Sequence, residues 1–255
     1  MARIIVVSAA EFGRAATEMI IYHFLTHRRP VVCWPSGSTP REVYAVLIEE
    51  TRRGTISFVN VESFALDEWG EVSDVRLSCA YDLRSRVFDR VGVPERQVHV
   101  WPPRATPEDC IAYESLIADC GGLTLGVLGI GLNGHVGLNE PGSDVDSRTR
   151  IVTLTPLTQR LARKNYGFPH PPAYGVTVGL ATLMESRELL LLAQGSTKAP
   201  IIRRLLQEAP SEALPASLLL DHPHLTIMID SDAAQGILRI PIWHQSSQTQ
   251  EGNVT

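Results

Sequence analysis

Stretches in which apolar residues follow one another without polar alternation constrain this chain most, as in Leu123-Thr124-Leu125-Gly126-Val127-Leu128. A strand with one wet face alternates apolar and polar side chains, whereas a strand that stays apolar has both faces covered. Short β-rich segments also occur at Ile4–Ser8, Val31–Trp34, Val59–Leu66, Val98–Trp101, Tyr174–Val178, Leu189–Ala193 and Leu225–Ile229. Amphipathic stretches separate them and predict helices over Ala9–Thr26, Pro40–Arg53, Arg76–Val91, Pro107–Asp119, Lys198–Gln207 and Leu214–Leu220. In the first of these, Ala16, Met19, Ile20 and Phe24 fall on one side, as a half-buried helix requires. Alternation of strand and helix predicts the α/β class, with a doubly wound, mostly parallel sheet and helices on both faces. Residues 1–244 are expected to form one domain, with no internal repeat or linker, and the polar segment Gln245–Thr255 a disordered tail.

Composition narrows the function classes. The formal net charge is -5 over 255 residues, and no basic stripe marks a nucleic-acid surface. No segment approaches the roughly 20 apolar residues that span a bilayer, and the N-terminus lacks the features of a secretion signal. Cys33, Cys79, Cys110 and Cys120 show neither C-x-x-C spacing nor an obvious metal cluster, so reduced thiols in the cytoplasm are expected.

In a doubly wound sheet, ligands bind where strands end, which directs attention to four loops. After Trp34 comes Pro35-Ser36-Gly37-Ser38-Thr39-Pro40, which combines a tight-turn glycine, three hydroxyls and a proline suited to the first turn of a helix. Such a helix start suits a phosphate, although a simple Ser/Thr cap reads the same way. After Leu66, Asp67 and Glu68 stand side by side, and extended backbone would aim only one of them inward as a general base. The third loop, Gly129-Ile130-Gly131-Leu132-Asn133-Gly134-His135-Val136-Gly137-Leu138-Asn139-Glu140, gathers Asn133, His135 and Glu140 among glycines. A carboxylate partner lets an imidazole hold one tautomer and move a proton near neutral pH. The loop is not a dinucleotide fingerprint, because the third glycine is absent. In the fourth, Gln194-Gly195-Ser196-Thr197-Lys198, a lysine at a helix start opposes the helix dipole unless an anion sits beside it.

These loops, in this order, resemble the glucosamine-6-phosphate deaminase family over nearly the whole chain, to about Asp230. The similarity rests on the glycine–histidine loop ending Asn139-Glu140-Pro141, on Ser147-Arg148-Thr149-Arg150-Ile151, on Pro172-Ala173-Tyr174-Gly175-Val176-Thr177-Val178-Gly179, and on Pro215-Ala216-Ser217 with His222-Pro223. The resemblance implies a Rossmann-like enzyme of aminosugar metabolism. It would convert glucosamine 6-phosphate and water to fructose 6-phosphate and ammonia, with no metal or organic cofactor. Asp67 would move a proton between carbons 2 and 1, His135 would assist ring opening, Glu140 would orient and tune His135, and Asn133 would complete the catalytic set. Ser36, Gly37, Ser38, Thr39 and Lys198 would hold the phosphate, joined by Arg163 or Lys164 in place of the family's phosphate-binding arginine.

Many members carry Asp where this chain has Asn133, so the charge beside His135 falls to Glu140 alone. Arg150 matches part of the site at which some hexameric members bind N-acetylglucosamine 6-phosphate as activator, but Val152 replaces their lysine, so weak or absent activation is expected. The family includes monomers and hexamers, leaving a homo-oligomer open. Competing readings are a deaminase for another aminosugar phosphate such as galactosamine 6-phosphate, a 6-phosphogluconolactonase-like hydrolase, and a non-catalytic sugar-phosphate sensor. The lactonase loop usually continues Ser-Leu-Phe-Pro where this chain has Leu138-Asn139-Glu140-Pro141.

Overall fold

Ten strands build two sheets in the computed structural model, which describes residues 2–237; the expected tail at 245–255 lies outside the described residues. In chain order they are β1 (Arg3–Val7), β2 (Val31–Trp34), β3 (Glu62–Ala65), β4 (Asp67–Trp69), β5 (Val98–His99), β6 (Leu125–Gly129), β7 (Arg150–Thr153), β8 (Tyr174–Thr177), β9 (Glu188–Ala193) and β10 (Leu225–Asp230). The larger sheet has seven strands in the order β1-β10-β9-β6-β2-β3-β5, all paired in parallel. Every residue of β2 and β10, and all of β9 after Glu188, is buried. Successive side chains point to opposite faces, so both faces of the sheet are covered. Chain order runs outward through β3 and β5 on one side, and through β9 and β10 on the other. The reversal falls between β2 and β6, where such sheets open a crevice.

The covering helices are α1 (Phe12–Thr26), α2 (Arg41–Arg52), α3 (Cys79–Leu83), α4 (Asp89–Val91), α5 (Pro107–Asp119), α6 (Pro156–Tyr166), α7 (Leu180–Met184), α8 (Ala199–Gln207) and α9 (Pro215–Leu218). Helix α1 buries Phe12, Ala16 and Ile20, with Met19 and Phe24 partly buried against the same core, as the periodicity predicts. Thr106 and Asp109 close a reciprocal capping box at the start of α5, a device that stabilises a helix start by about 1 kcal/mol. No described helix is long and apolar enough to cross a membrane, and all four cysteines are free thiols.

Three local expectations need correction. The helix predicted over Arg76–Val91 is interrupted only at its start: a 3₁₀ turn (Val75–Leu77) and the extended Ser78 precede α3, and from Cys79 to Val91 the chain stays helical, α3 passing through a wide π-helical turn (Arg84–Phe88) into α4. The segment Tyr174–Val178 is a strand, but β8 belongs to a second, antiparallel sheet in the order β4-β8-β7. Helix α6 has no counterpart among the predicted helices, because PLTQRLARKNY holds few apolar residues and is polar on average. Its end signals were nevertheless present. Thr155 caps the amide of Thr158, Pro156 opens the first turn, and Gly167 closes the helix at φ 77°.

The small sheet grows directly out of the large one. A single residue, Leu66, separates β3 from β4; its amide donates to Trp34 O of the large sheet, and its carbonyl accepts from Val178 N. A second apolar cluster, including Trp69, Leu138, Leu154 and Phe168, lies apart from the main core. This layer walls one side of the crevice above β2 and β6.

Candidate active site

A cavity of about 270 Å³ opens at the carboxyl ends of β2, β3, β6 and β9, four neighbouring strands of the large sheet. All four loops singled out in the sequence contribute to it: Ser36–Thr39, Leu66–Asp67, Gly129–Leu132 with His135, and Thr197–Lys198. Helix α6 supplies a further wall through Thr158, Leu161, Ala162 and Asn165, ending in Tyr166.

The first loop turns at Gly37, whose φ of +99° suits glycine. A Cβ there would stand 2.8 Å from the Tyr166 hydroxyl. The Gly37 amide donates to Asp82 Oδ2 at 3.1 Å, which pins the loop to α3. Helix α2 begins without any side-chain cap from this loop. The hydroxyls of Ser36, Ser38 and Thr39 are therefore not spent on capping, and the simple-cap reading does not hold.

Strand geometry separates the two adjacent acids. Glu68 is 2% exposed and turns toward α3, where its carboxylate accepts from the amides of Trp69, Cys79 and Ala80, each at 2.8 Å. It serves as an anchor for the start of that helix. Asp67 faces the other way and lines the cavity. Burial, reinforced by the neighbouring charge of Glu68 and partly offset by the Cys79 thiol, raises the Asp67 carboxyl from 3.8 to about 7. Cys79 was not singled out as a site residue; burial pushes its thiol well above the usual range.

His135 reaches the cavity from a turn in which Gly131 N donates to His135 O at 2.8 Å. A Cβ on Gly131 would collide with the imidazole ring. Behind the ring lies a polar network. Glu140 Oε2 stands 3.6 Å from His135 Nδ1. Asn133 bridges the two, its amide donating to Glu140 Oε2 at 2.8 Å while its carbonyl accepts from His135 N at 3.3 Å. Thr155 donates to Glu140 Oε1 from both its amide and its hydroxyl. Burial alone would raise the Glu140 carboxyl. Hydrogen bonds from His135, Thr158 and Asn133, together with the charge of His135, outweigh it and hold the group at about 2. Glu140 and Asn133 do not line the cavity; they lie behind His135, which does.

Lys198 lines the cavity, and its Nζ donates to Ile130 O at 2.6 Å, tying the fourth loop to the third. Burial lowers its pKa, which makes a bound anion the natural partner for its charge. Arg163 and Lys164 are not brought in. The α6 residues facing the cavity follow a helical stripe, 158, 161, 162 and 165, and positions 163 and 164 fall off it into solvent. Sequence reasoning missed Tyr166 because it missed the helix that carries it. A second cavity, of about 390 Å³, lies on the far side of Glu140 and is lined by Ser143, Arg150 and Val152 among others.

A family model described as glucosamine-6-phosphate isomerases/6-phosphogluconolactonase matches residues 7–228. A glucosamine-6-phosphate deaminase of Shouchella clausii is 38% identical over 206 residues, covering 78% of this chain and 82% of the relative. One from Beutenbergia cavernae is 35% identical and covers 95% of each chain. A solved monomeric glucosamine-6-phosphate deaminase superposes with a TM-score of 0.86 at 30% identity, over 91% of this chain and 98% of its own. The 6-phosphogluconolactonase of Trypanosoma cruzi shares the fold, with a TM-score of 0.73 at 19% identity over 94% of this chain and 98% of its own.

Proposed function

Because the chain belongs to the glucosamine-6-phosphate isomerase/6-phosphogluconolactonase family, we propose that it converts glucosamine 6-phosphate and water to fructose 6-phosphate and ammonia. The observation that carries this reading is the convergence of Asp67, His135 and Lys198 with the Ser36–Thr39 loop on one cavity. That set combines a base, a proton carrier and an anion site.

The phosphate docks among the hydroxyls of Ser36, Ser38 and Thr39, with Lys198 as its counter-charge. Tyr166 adds a neutral donor beside Gly37. Binding energy at the phosphate, remote from the reacting carbons, then holds the sugar in a productive pose. His135 delivers a proton to the ring oxygen as the bond to carbon 1 breaks and the carbon-1 hydroxyl gives up its own proton. Glu140 and Asn133 fix the imidazole for this transfer. Asp67 takes the proton from carbon 2 and returns it to carbon 1, while the carbonyl oxygen takes one proton from the carbon-2 ammonium; a carbon-1 hydroxyl and an iminium at carbon 2 result. Water adds there, ammonia departs, and the ketose phosphate remains. A carboxyl held at about 7 suits this role, since it is a stronger base than an ordinary aspartate and still ionises near neutrality.

Product analysis tests the reading. The protein is incubated separately with glucosamine 6-phosphate, galactosamine 6-phosphate and 6-phosphogluconolactone, and ammonia, ketose phosphate and acid are assayed. Ammonia and fructose 6-phosphate in equal amounts from the first substrate are expected. Acid from the lactone without ammonia from either aminosugar would replace the reading with a hydrolase, and binding without turnover with a sensor.

A further inference from the structure

Away from the cavity, Glu62, His99 and Cys120 bring three different metal-binding groups together. Glu62 opens β3, at the end of that strand remote from the cavity; His99 closes the edge strand β5; Cys120 follows the last residue of α5. One carboxylate oxygen, one imidazole nitrogen and the sulfur all lie within 4.8 Å of one another. His99 Nε2 stands 2.8 Å from Glu62 Oε2, and the two side chains are 13% and 14% exposed. The cluster is therefore partly buried and reachable from solvent.

The three groups are held by separate parts of the fold. Parallel pairing of β3 with β5 sets Phe64 opposite His99, and their rings pack with centroids 4.3 Å apart, which orients the imidazole. The Tyr113 hydroxyl, from α5, donates to His99 O at 2.9 Å. The amide of Cys120 donates to Leu116 O at 3.1 Å, so the last turn of α5 carries the thiol.

Carboxylate, imidazole and thiolate are the donor set of zinc, at about 2.0–2.3 Å each. In a tetrahedron such bonds place the donor atoms about 3.3–3.8 Å apart. The Glu62–His99 pair, at 2.8 Å, opens by about half an ångström to meet that spacing, and the sulfur starts within 4.8 Å of both. Burial, with the charge of Glu62, raises the Cys120 thiol above its usual range. A bound cation would reverse this: the thiol proton passes to solvent as the metal–sulfur bond forms. The positive charge of Arg29 acts on Cys120 in the opposite sense to Glu62, but two anionic donors leave a divalent ion neutralised.

A second cluster, His23, His27 and Glu188, is less suited. Its two imidazoles stack face to face at 3.9 Å, so their in-plane lone pairs run side by side rather than converge. Both nitrogens of His23 are already engaged, by Glu188 and Thr124.

We propose that Glu62, His99 and Cys120 bind one thiophilic divalent cation of the zinc type, with the fourth coordination position left to water. The ion would tie the end of α5 to β3 and β5, at a distance from the cavity.

Cobalt(II) is the probe, because a thiolate ligand gives it a near-ultraviolet charge-transfer band and tetrahedral geometry gives intense visible bands. Titrating the metal-free full chain at neutral pH should show both bands saturating at one equivalent, and zinc should displace them. Cys120→Ser should abolish the charge-transfer band, while His27→Gln leaves it unchanged. Glu62→Gln should keep the band but weaken affinity roughly 10–100-fold. If Cys120→Ser does not fold, as judged by circular dichroism, Glu62→Gln decides the matter, and unchanged affinity there overturns the proposal. Absence of a thiolate band in the wild type, or its survival in folded Cys120→Ser, overturns it as well.

Discussion

Replacing Asp67 by asparagine should stop turnover and stabilise the fold at the same time, with a pH dependence that identifies the cause. The carboxyl is raised from 3.8 to about 7, chiefly because burial penalises the charged form. Between those two values the folded protein binds more protons at this site than the unfolded chain does. Stability therefore falls as pH rises through the window, and the cost is complete above pH 7. Three pH units at 1.36 kcal/mol each set an upper bound of about 4 kcal/mol. Asp67 borders an open cavity, and water there relieves part of the penalty, which leaves about 2 kcal/mol. Asparagine carries no charge and escapes this cost. For a chain of this size, that gain corresponds to a Tm higher by about 4–8 °C at pH 8, and to no difference below pH 4. Calorimetric melts of both proteins from pH 4 to 8.5 would measure it, alongside a turnover loss of about 10²–10⁴-fold. Equal Tm values at pH 8, or a gap that does not change with pH, would refute the assignment of a desolvated carboxylate to Asp67.

Glu68→Gln should lower stability by about 1–3 kcal/mol, since an amide cannot accept from Trp69, Cys79 and Ala80 as the carboxylate does; denaturant unfolding measures this. Tyr166→Phe keeps the packing against Trp69 and Phe168 but removes the hydroxyl beside Gly37, so inorganic phosphate should inhibit about 3–10-fold more weakly, for a loss near 1 kcal/mol. Inhibition constants that match the wild type would remove Tyr166 from the anion site. The hydrogen bonds that depress Glu140 to about 2 contribute stability fully present above pH 4.5 and lost as pH falls toward 2. Glu140→Gln should accordingly flatten the acid limb of the unfolding curve, and an unchanged limb would show that the network is not coupled to folding. Rate curves should stay hyperbolic and insensitive to N-acetylglucosamine 6-phosphate; a sigmoidal curve that this compound makes hyperbolic would contradict the reading of Val152.

The large sheet was legible because its central strands are apolar on both faces, and a short unbroken run such as Leu189–Ala193, set between amphipathic stretches, suits a doubly covered strand. The loops that end those strands could be located for the same reason. The small sheet was not legible. Strands β4 and β7 are only three and four residues long, and β4 follows β3 after a single residue, so no turn signal marks the change of sheet. Asp67 and Glu68 could be recognised as alternatives, yet only the position of α3 decides which of them is consumed as an anchor. Helix α6 is predominantly polar, because one narrow stripe lines a cavity rather than a core. That is also why Arg163 and Lys164, plausible as phosphate ligands in the sequence, point into solvent, while Tyr166 meets Gly37 across the cavity.

The account stands or falls on how a substrate-like molecule lies between the anion site and Asp67. A crystal structure with 2-amino-2-deoxyglucitol 6-phosphate, an open-chain analogue that cannot isomerise, measures this directly. The phosphate should rest on Ser36, Ser38, Thr39 and Lys198, with carbon 2 about 3–3.5 Å from an Asp67 oxygen. A phosphate bound by Arg163, by Lys164 or in the cavity beyond Glu140, with carbon 2 out of reach of Asp67, would contradict the account.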